Sequence, residues 1–320
     1  MKRLRGLALA LGVAMVLVAA LVGTGWARPA TAPQTALPAG LRGLAAWQER
    51  CQGPQFLWKV TRPGRPGAVW LLGSVHFASP SSYPLCPVVE RAFARADELM
   101  VELDIDRRQN EAARLLTAHG YYPEGQPGLS RVLTPRHREL LARLGVRAEA
   151  LERFRPWYVA LLLQAQRLDR LGYKADWGVD AALLARAHAR GMAIVELETV
   201  PEQFALLESL AALDEQDFLT QSLEELDHMD ELAREVYDAW SRGDAAGVER
   251  VLFAPLREDP SQAPAFDMLY FDRNTRMAAA VEQRLARSGS ALCVVGAGHL
   301  VGDKGVPALL RRDGCEVAQQ

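Results

Sequence analysis

The sequence predicts an α/β (or α+β) protein, with a central mixed sheet drawn from both halves of the chain and a large helical insertion between them. Three observations support this class. Short apolar segments near residues 70, 100, 195 and 293 have strand character, long stretches between them have helical periodicity, and Gly and Pro mark the boundaries. The strands that pair would therefore lie far apart in the sequence.

The N-terminus has the pattern of a secretory signal, because Lys2, Arg3 and Arg5 precede an uncharged apolar run from Leu7 to Val22. We expect a signal peptide over residues 1–27, a flexible tether over 28–43 and a folded domain over 44–320. The protein is thus predicted to be periplasmic or secreted. A membrane anchor is expected only if the signal stays uncleaved, since the run is shorter than the ~20 residues of a spanning helix.

The charge of the chain argues against a nucleic-acid partner. Without the three basic residues of the signal, Lys and Arg fall to 37 − 3 = 34 against 39 Asp and Glu, a net charge of −5. No tract of Lys and Arg forms a basic stripe. The favoured partner is therefore a peptide or small-molecule substrate.

The four cysteines could form two disulfides in an oxidising compartment. We favour Cys51 with Cys86 and Cys293 with Cys315, because each pair joins neighbouring segments. Cys293 lies in an apolar strand, and a role as a small core residue is the alternative for it.

The N-terminal part of the sheet is predicted as strands over residues 56–60, 68–72 and 99–103. The turn-forming residues 63–67 predict a hairpin between the first two strands. A helix over 87–96 precedes the third strand, and this order predicts a parallel crossover.

The rest of the chain alternates long helical stretches with short strands. Helices are predicted over 136–144, 156–171, 179–190, 214–240, 268–286 and 306–312. Strands are predicted over 192–197, 291–295 and 316–318. Glycines follow several of these helices and act as stop signals.

Two Gly-x-x-His tetrapeptides, Gly73 to His76 and Gly296 to His299, each follow an apolar strand directly. Glycine at a strand end permits a sharp turn and a close approach of the backbone. The histidine three residues later then faces the crevice at the carboxyl ends of parallel strands, where open α/β sheets bind ligands. The placement of both copies predicts that His76 and His299 share one site.

Two carboxylates end other strands. Glu102 lies at the end of the apolar segment 99–103, and Glu198 follows the strand over 192–197. A buried acid needs a partner, which a metal, an Arg or a substrate would supply. Two imidazoles and a carboxylate suit several divalent metals, and a metal-bound water is a hydrolytic nucleophile.

Simpler roles compete with these assignments. A loop histidine is more often a structural hydrogen-bonding residue, and Glu102 could instead form an ion pair with Arg273. Asp180 could be an acid at a helix N-terminus or could face the site. Asp104 is expected to be solvated, and His137, like the remaining histidines at 119, 188 and 228, is expected on the surface.

The segments 57–60, 70–76, 101–104, 178–180, 197–199, 273–274 and 295–302, taken in order, resemble the TraB/GumN family. The resemblance covers about residues 55–318. It implies a fold shared with the Tiki-type metalloproteases and with erythromycin-esterase-like relatives. It also implies that His76, Glu102 and His299 form the functional core, with Arg273 and Asn274 in support.

The sequence therefore predicts an exported metal-dependent hydrolase, with a peptidase among the candidate activities. The metal is Mn, Co, Fe or Zn, held by His76, Glu102 and His299. The catalytic residues are Glu102, Arg273 and Asn274. The supporting residues are Gly73, Asp180, Glu198, Gly296 and Gly298. The alternative is a non-catalytic periplasmic binder of a peptide, metal or haem ligand in the same crevice, and a scaffold of an export complex is a third hypothesis.

Overall fold

A computed structural model describes residues 41–211 and 215–320 of the chain. At its centre is a six-stranded mixed sheet with the order β4-β3-β5-β2-β1-β6. The strands are β1 (Leu57–Thr61), β2 (Gly67–Ser74), β3 (Glu98–Val101), β4 (Ala193–Glu196), β5 (Gly289–Gly296) and β6 (Glu316–Gln319). Helices cover the faces of this sheet, which confirms the predicted fold class.

The helices in chain order are α1 (Leu41–Arg50), α2 (Pro87–Arg95), α3 (Ile105–Gly120), α4 (Pro135–Arg143), α5 (Pro156–Arg170), α6 (Val179–Ala189), α7 (Val200–Ala211), α8 (Glu215–Glu225), α9 (Met229–Ser241), α10 (Ala245–Leu252), α11 (Ala254–Glu258), α12 (Ala263–Phe266), α13 (Asp272–Leu285) and α14 (Val306–Arg312). One π-helical turn, Asp267–Phe271, joins α12 to α13.

The central four strands, β4, β3, β5 and β2, are all parallel. β5 comes from the C-terminal part of the chain and lies between β2 and β3, so the predicted parallel crossover through α2 passes over it. β1 pairs antiparallel with β2, which confirms the hairpin, and β6 adds antiparallel to β1. The carboxyl ends of β2, β3 and β5 therefore meet at one edge of the sheet.

The helical insertion builds a second hydrophobic core. On α5, Trp157 and Leu161 pack into the main core beside the sheet, whereas Val159 and Leu163 pack with the leucines of α4 and α8. Because α5 is apolar on both sides, it joins the insertion to the sheet.

Two predicted helices differ from the structure. The helix predicted over 214–240 is two helices, α8 and α9, with a break at residues 226–228. Leu226 at the break is buried, so the apolar spacing continues across it and conceals it in the sequence. The helix predicted over 268–286 begins at Asp272, because the π-helical turn precedes it.

The Cys51–Cys86 disulfide is present as predicted, and it ties the residue after α1 to the start of α2. The predicted Cys293–Cys315 bond is wrong, because both cysteines are free and buried. Cys293 lies on β5, and Cys315 precedes β6, three positions away in the strand order. At about 4.8 Å per strand this spacing is far beyond the ~4.4–6.8 Å between bonded Cα atoms.

The predicted signal peptide lies outside the described residues, as does nearly all of the predicted tether. Of the helices in the described part of the chain, none combines the length and the apolar character that a membrane crossing requires.

Candidate functional site

The candidate site lies at the carboxyl ends of β2, β3 and β5. His76 comes two residues after β2, Glu102 directly follows β3, and His299 lies in the short 3-10 turn after β5. The parallel pairing of these strands brings together three residues that are far apart in the sequence. His76 is 3% exposed, Glu102 is 1% exposed and His299 is fully buried, so the cluster lies inside the protein.

Position 73, at the end of β2, has no room for a side chain larger than that of glycine. A Cβ atom there would lie 2.3 Å from the Phe56 ring and 3.2 Å from the Cα of Ala297. The carbonyl of Gly73 also accepts a 2.8 Å hydrogen bond from Nε1 of Trp240 on α9. The close approach allows the backbones after β2 and β5 to lie side by side.

A buried arginine organises the carboxylates. Arg273, the second residue of α13, donates from Nε to Glu198 at 2.5 Å and from Nη2 to Glu102 at 2.9 Å and Glu198 at 2.8 Å. Its Nη1 donates to the carbonyl of Leu269 in the π-helical turn at 2.8 Å. The ion pair between Glu102 and Arg273, weighed above as the simpler role, is therefore present.

The two carboxylates differ in environment. The second oxygen of Glu102 accepts a 2.6 Å hydrogen bond from the backbone N–H of Gly296. Burial raises the pKa of Glu102, although the charge of Arg273 opposes the rise. Burial would also raise the pKa of Glu198, but Arg273 and a 2.9 Å hydrogen bond from Gln203 outweigh it and lower that pKa. Glu102 is thus the more basic of the two acids.

Asn274 fixes the tautomer of His299. The Nδ2 of Asn274 donates to the carbonyl of Lys304 at 2.8 Å, so its Oδ1 faces Nδ1 of His299 at 2.6 Å and accepts a hydrogen bond from the Nδ1–H. The Nε2 of His299 is then an unprotonated nitrogen, 3.8 Å from Glu102. Burial and the positive charges of Arg273 and His76 hold the pKa of His299 well below its usual value, so the ring is neutral.

The pKa of His76 is shifted in the direction opposite to that of His299, and Asp180 contributes to this shift. Asp180 lies in the first turn of α6, and its Oδ2 is 3.2 Å from Nδ1 of His76. Burial would lower the pKa of His76, but the carboxylates of Asp180 and Glu102 raise it above its usual value. Asp180 is therefore both an acid at a helix N-terminus and a member of the site.

The buried ring nitrogens offer a test of whether the site suits a metal. The Nε2 atoms of both His76 and His299 are buried without a hydrogen-bond partner in the described structure, and unpaired imidazole nitrogens are typical ligands of divalent metals. Glu102, in contrast, is already bound by Arg273 and Gly296. Within residues 41–211 and 215–320, no three His, Cys, Asp or Glu side chains are grouped closely enough to hold a metal ion. The imidazoles thus have nitrogens of the type that binds metals, whereas the carboxylate does not complete a set of ligands in this geometry.

Two residues expected to be solvent-exposed are buried. Asp104 is 1% exposed, because it caps α3 and accepts from His188 at 2.9 Å. His137 is fully buried and links α4 to α8 through a 2.6 Å contact with Thr220. Both residues lie outside the site. Their polar groups are buried against partners that are distant in the sequence and come close only in the folded protein.

The sequence prediction missed one member of the site, Tyr270, whose ring centroid lies 5.3 Å from that of His299. An aromatic residue at helical spacing before Arg273 is typical of an ordinary core position. The sequence contains no signal that distinguishes Tyr270 from such a core residue.

Comparison with known proteins gives matches over most of this chain. The family model described as TraB/PrgY/gumN matches residues 56–319. Two curated relatives, both described as "uncharacterized protein YbaP", come from Shigella flexneri and from Escherichia coli (strain K12). Each is 25% identical over 274 residues, which cover 81% of this chain and 95% of the relative. No solved structure matches the chain.

Proposed function

This chain belongs to the TraB/PrgY/gumN family, and we propose that it is an exported metal-dependent hydrolase whose site contains His76, His299 and Glu102. One observation carries the proposal. The two buried histidines come from neighbouring parallel strands, and each has an Nε2 atom without a partner in the described structure. Desolvated polar atoms of this kind are costly unless a ligand satisfies them.

His76 and His299 are the residues that would hold the metal. Asp180 and Asn274 contact their other ring nitrogens, and such contacts orient the imidazoles toward a bound ion. A divalent Mn, Co, Fe or Zn ion would supply a water of lowered pKa as the nucleophile.

Glu102 is proposed to act as the general base rather than as a third ligand. Arg273 and the Gly296 amide already bind its oxygens, and burial raises its pKa, which improves it as a proton acceptor. The role of Arg273 changes accordingly. Its Nε, Nη1 and Nη2 donate to Glu198, Leu269 and Glu102, so it positions the carboxylates and does not clamp a substrate anion.

Element analysis of protein purified without chelator tests the metal. We expect about one equivalent of a divalent metal in the wild-type protein and a loss of it in His76→Gln and His299→Gln. His228→Gln is the matched control, because His228 is exposed before α9, and it should keep the metal. The proposal is wrong if wild-type protein takes up none of Mn, Co, Fe or Zn.

The second candidate function is a periplasmic binder of a peptide, metal or haem ligand without turnover. One observation favours it: Glu102 is engaged by Arg273 and by the Gly296 amide, so a catalytic base would first have to exchange a partner. Metal-loaded protein incubated with a broad peptide library separates the two functions. Cleavage that Glu102→Gln abolishes supports the hydrolase, whereas ligand binding without cleavage supports the binder.

Export is proposed from the N-terminal sequence alone. Expression of the full chain in a bacterial host, followed by N-terminal sequencing of the periplasmic fraction, tests it. A processed N-terminus near residues 27–33 is expected. Full-length protein confined to the cytoplasm would contradict export and would leave the proposed chemistry of the site untouched.

A further inference from the structure

The two Gly-x-x-His tetrapeptides differ at both middle positions, and the difference directly before the histidine involves a glycine. Gly298 precedes His299, whereas Val75 precedes His76. Gly298 does not have a positive φ, so its backbone conformation does not require glycine. The reason is space, because a Cβ atom at Gly298 would lie 2.5 Å from Cε1 and 3.1 Å from Cζ of Tyr270.

The ring of Tyr270 is rigidly packed. Tyr270 is fully buried, with Phe266 stacked at 6.1 Å and Phe253 edge-on at 5.3 Å between ring centroids. The ring centroid of His299 lies 5.3 Å from that of Tyr270. Burial raises the pKa of the Tyr270 hydroxyl, and the charges of Arg273 and Glu102 act on that pKa in opposite directions.

We infer that Tyr270 is a positioning residue: its ring occupies the space left by Gly298 and holds the His299 imidazole with Nδ1 against Asn274 and Nε2 toward Glu102. Asn274 selects the tautomer only while its Oδ1 lies against Nδ1 of His299, and an imidazole that could tilt would break this hydrogen bond. The tyrosine ring restricts this tilt because it packs beside the imidazole, with 5.3 Å between the ring centroids. The inference rests on the proposed function only in treating His299 as a functional residue.

The tautomer of His299 in metal-free protein is the direct readout. Protein labelled with ¹⁵N at its six histidines shows separate signals for protonated and bare ring nitrogens, and the signals lost in His299→Gln identify this residue. Tyr270→Phe keeps the ring and should keep the single tautomer. Tyr270→Leu should average the two nitrogen signals. Phe93→Leu, an equally buried change on α2, controls for loss of core packing and should leave the signals unchanged.

A folded Tyr270→Leu protein with the wild-type His299 signals would overturn the inference. If Tyr270→Leu does not fold, Gly298→Ala approaches the contact from the other side, since the new methyl group displaces the ring. It should also average the His299 signals, and a wild-type pattern there would overturn the inference too.

Metal affinity gives a second, separate readout. Loss of a residue that orients a ligand lowers metal affinity by about 10–100-fold, so Tyr270→Leu should bind Co²⁺ that much more weakly, and Tyr270→Phe should bind it as wild type does. If neither the wild-type protein nor any variant binds metal, the proposed function is wrong. The tautomer experiment still decides the role of Tyr270, because it uses metal-free protein.

Discussion

Replacement of Arg273 by Met should destabilise the protein strongly, because Arg273 is the cation that lies between two buried carboxylates. Arg273 is 3% exposed, Glu102 1% and Glu198 6%, so little solvent screens their charges. Removal of one partner from a buried ion pair costs about 3–5 kcal/mol. Glu102 would keep its hydrogen bond from Gly296, and Glu198 that from Gln203, so we expect a loss of ~4 kcal/mol at neutral pH.

Urea denaturation of wild-type protein and Arg273→Met measures this loss, and the melting temperature should fall by roughly 8–16 °C at 2–4 °C per kcal/mol. Arg276→Met is the matched control on the same helix, because Arg276 is exposed, and it should change stability by less than about 0.5 kcal/mol.

The pH dependence of the loss identifies its cause. In the wild-type protein the folded pKa of Glu198 is below its unfolded value, so its stabilisation is lost as pH falls toward the folded pKa. In Arg273→Met, burial without the cation should raise the folded pKa of both carboxylates, so the variant regains stability as pH falls. The gap between the two proteins should therefore narrow from pH 7 to pH 5. A loss below ~1 kcal/mol, or a gap that widens in acid, would refute this account of the cluster.

Three further changes test other parts of the fold. Cys51→Ser with Cys86→Ser should lower the free energy of unfolding by about 3.5–4 kcal/mol, because the bond closes a loop of 35 residues; a reductant should reproduce the loss in wild type and have no effect on the variant. Trp240→Phe removes the donor to the buried carbonyl of Gly73 and should cost about 1–3 kcal/mol by chemical denaturation. Thr134→Ala removes the oxygen that accepts a backbone N–H at the start of α4 and should cost about 0.5–2 kcal/mol in the same assay, with no effect on metal content. Each expectation fails if the variant unfolds at the wild-type denaturant concentration.

Most strands and many helices could be predicted because their signals are local. The turn at 63–67 and the apolar segments beside it define the β1–β2 hairpin, and Thr134-Pro135 defines the start of α4. The break between α8 and α9 was missed because Leu226 maintains the apolar spacing across it. The π-helical turn before α13 was missed because the same spacing continues through Phe266, Leu269 and Tyr270.

The members of the site could be predicted in identity but not in their contacts. The expectation that His76, Glu102 and His299 meet followed from their positions at strand ends, and the sheet order brings them to one edge. Arg273 binds both Glu102 and Glu198 because of the rotation of α13 about its axis. No local sequence pattern predicts that rotation. Its consequence is large, because it changes Glu102 from a free ligand into a carboxylate that already has partners.

The sequence by itself determined the fold class, the hairpin, the family resemblance and the residues at the strand ends, since each depends on neighbours in the chain. Tertiary structure alone decided which of these residues touch. It separated Cys293 from Cys315 by intervening strands, buried Asp104 and His137 with new partners, and placed Tyr270 against His299. The physical reason is that burial, hydrogen bonding and charge pairing depend on distance in space. Segments that are far apart in the sequence come close together only when the sheet and helices pack.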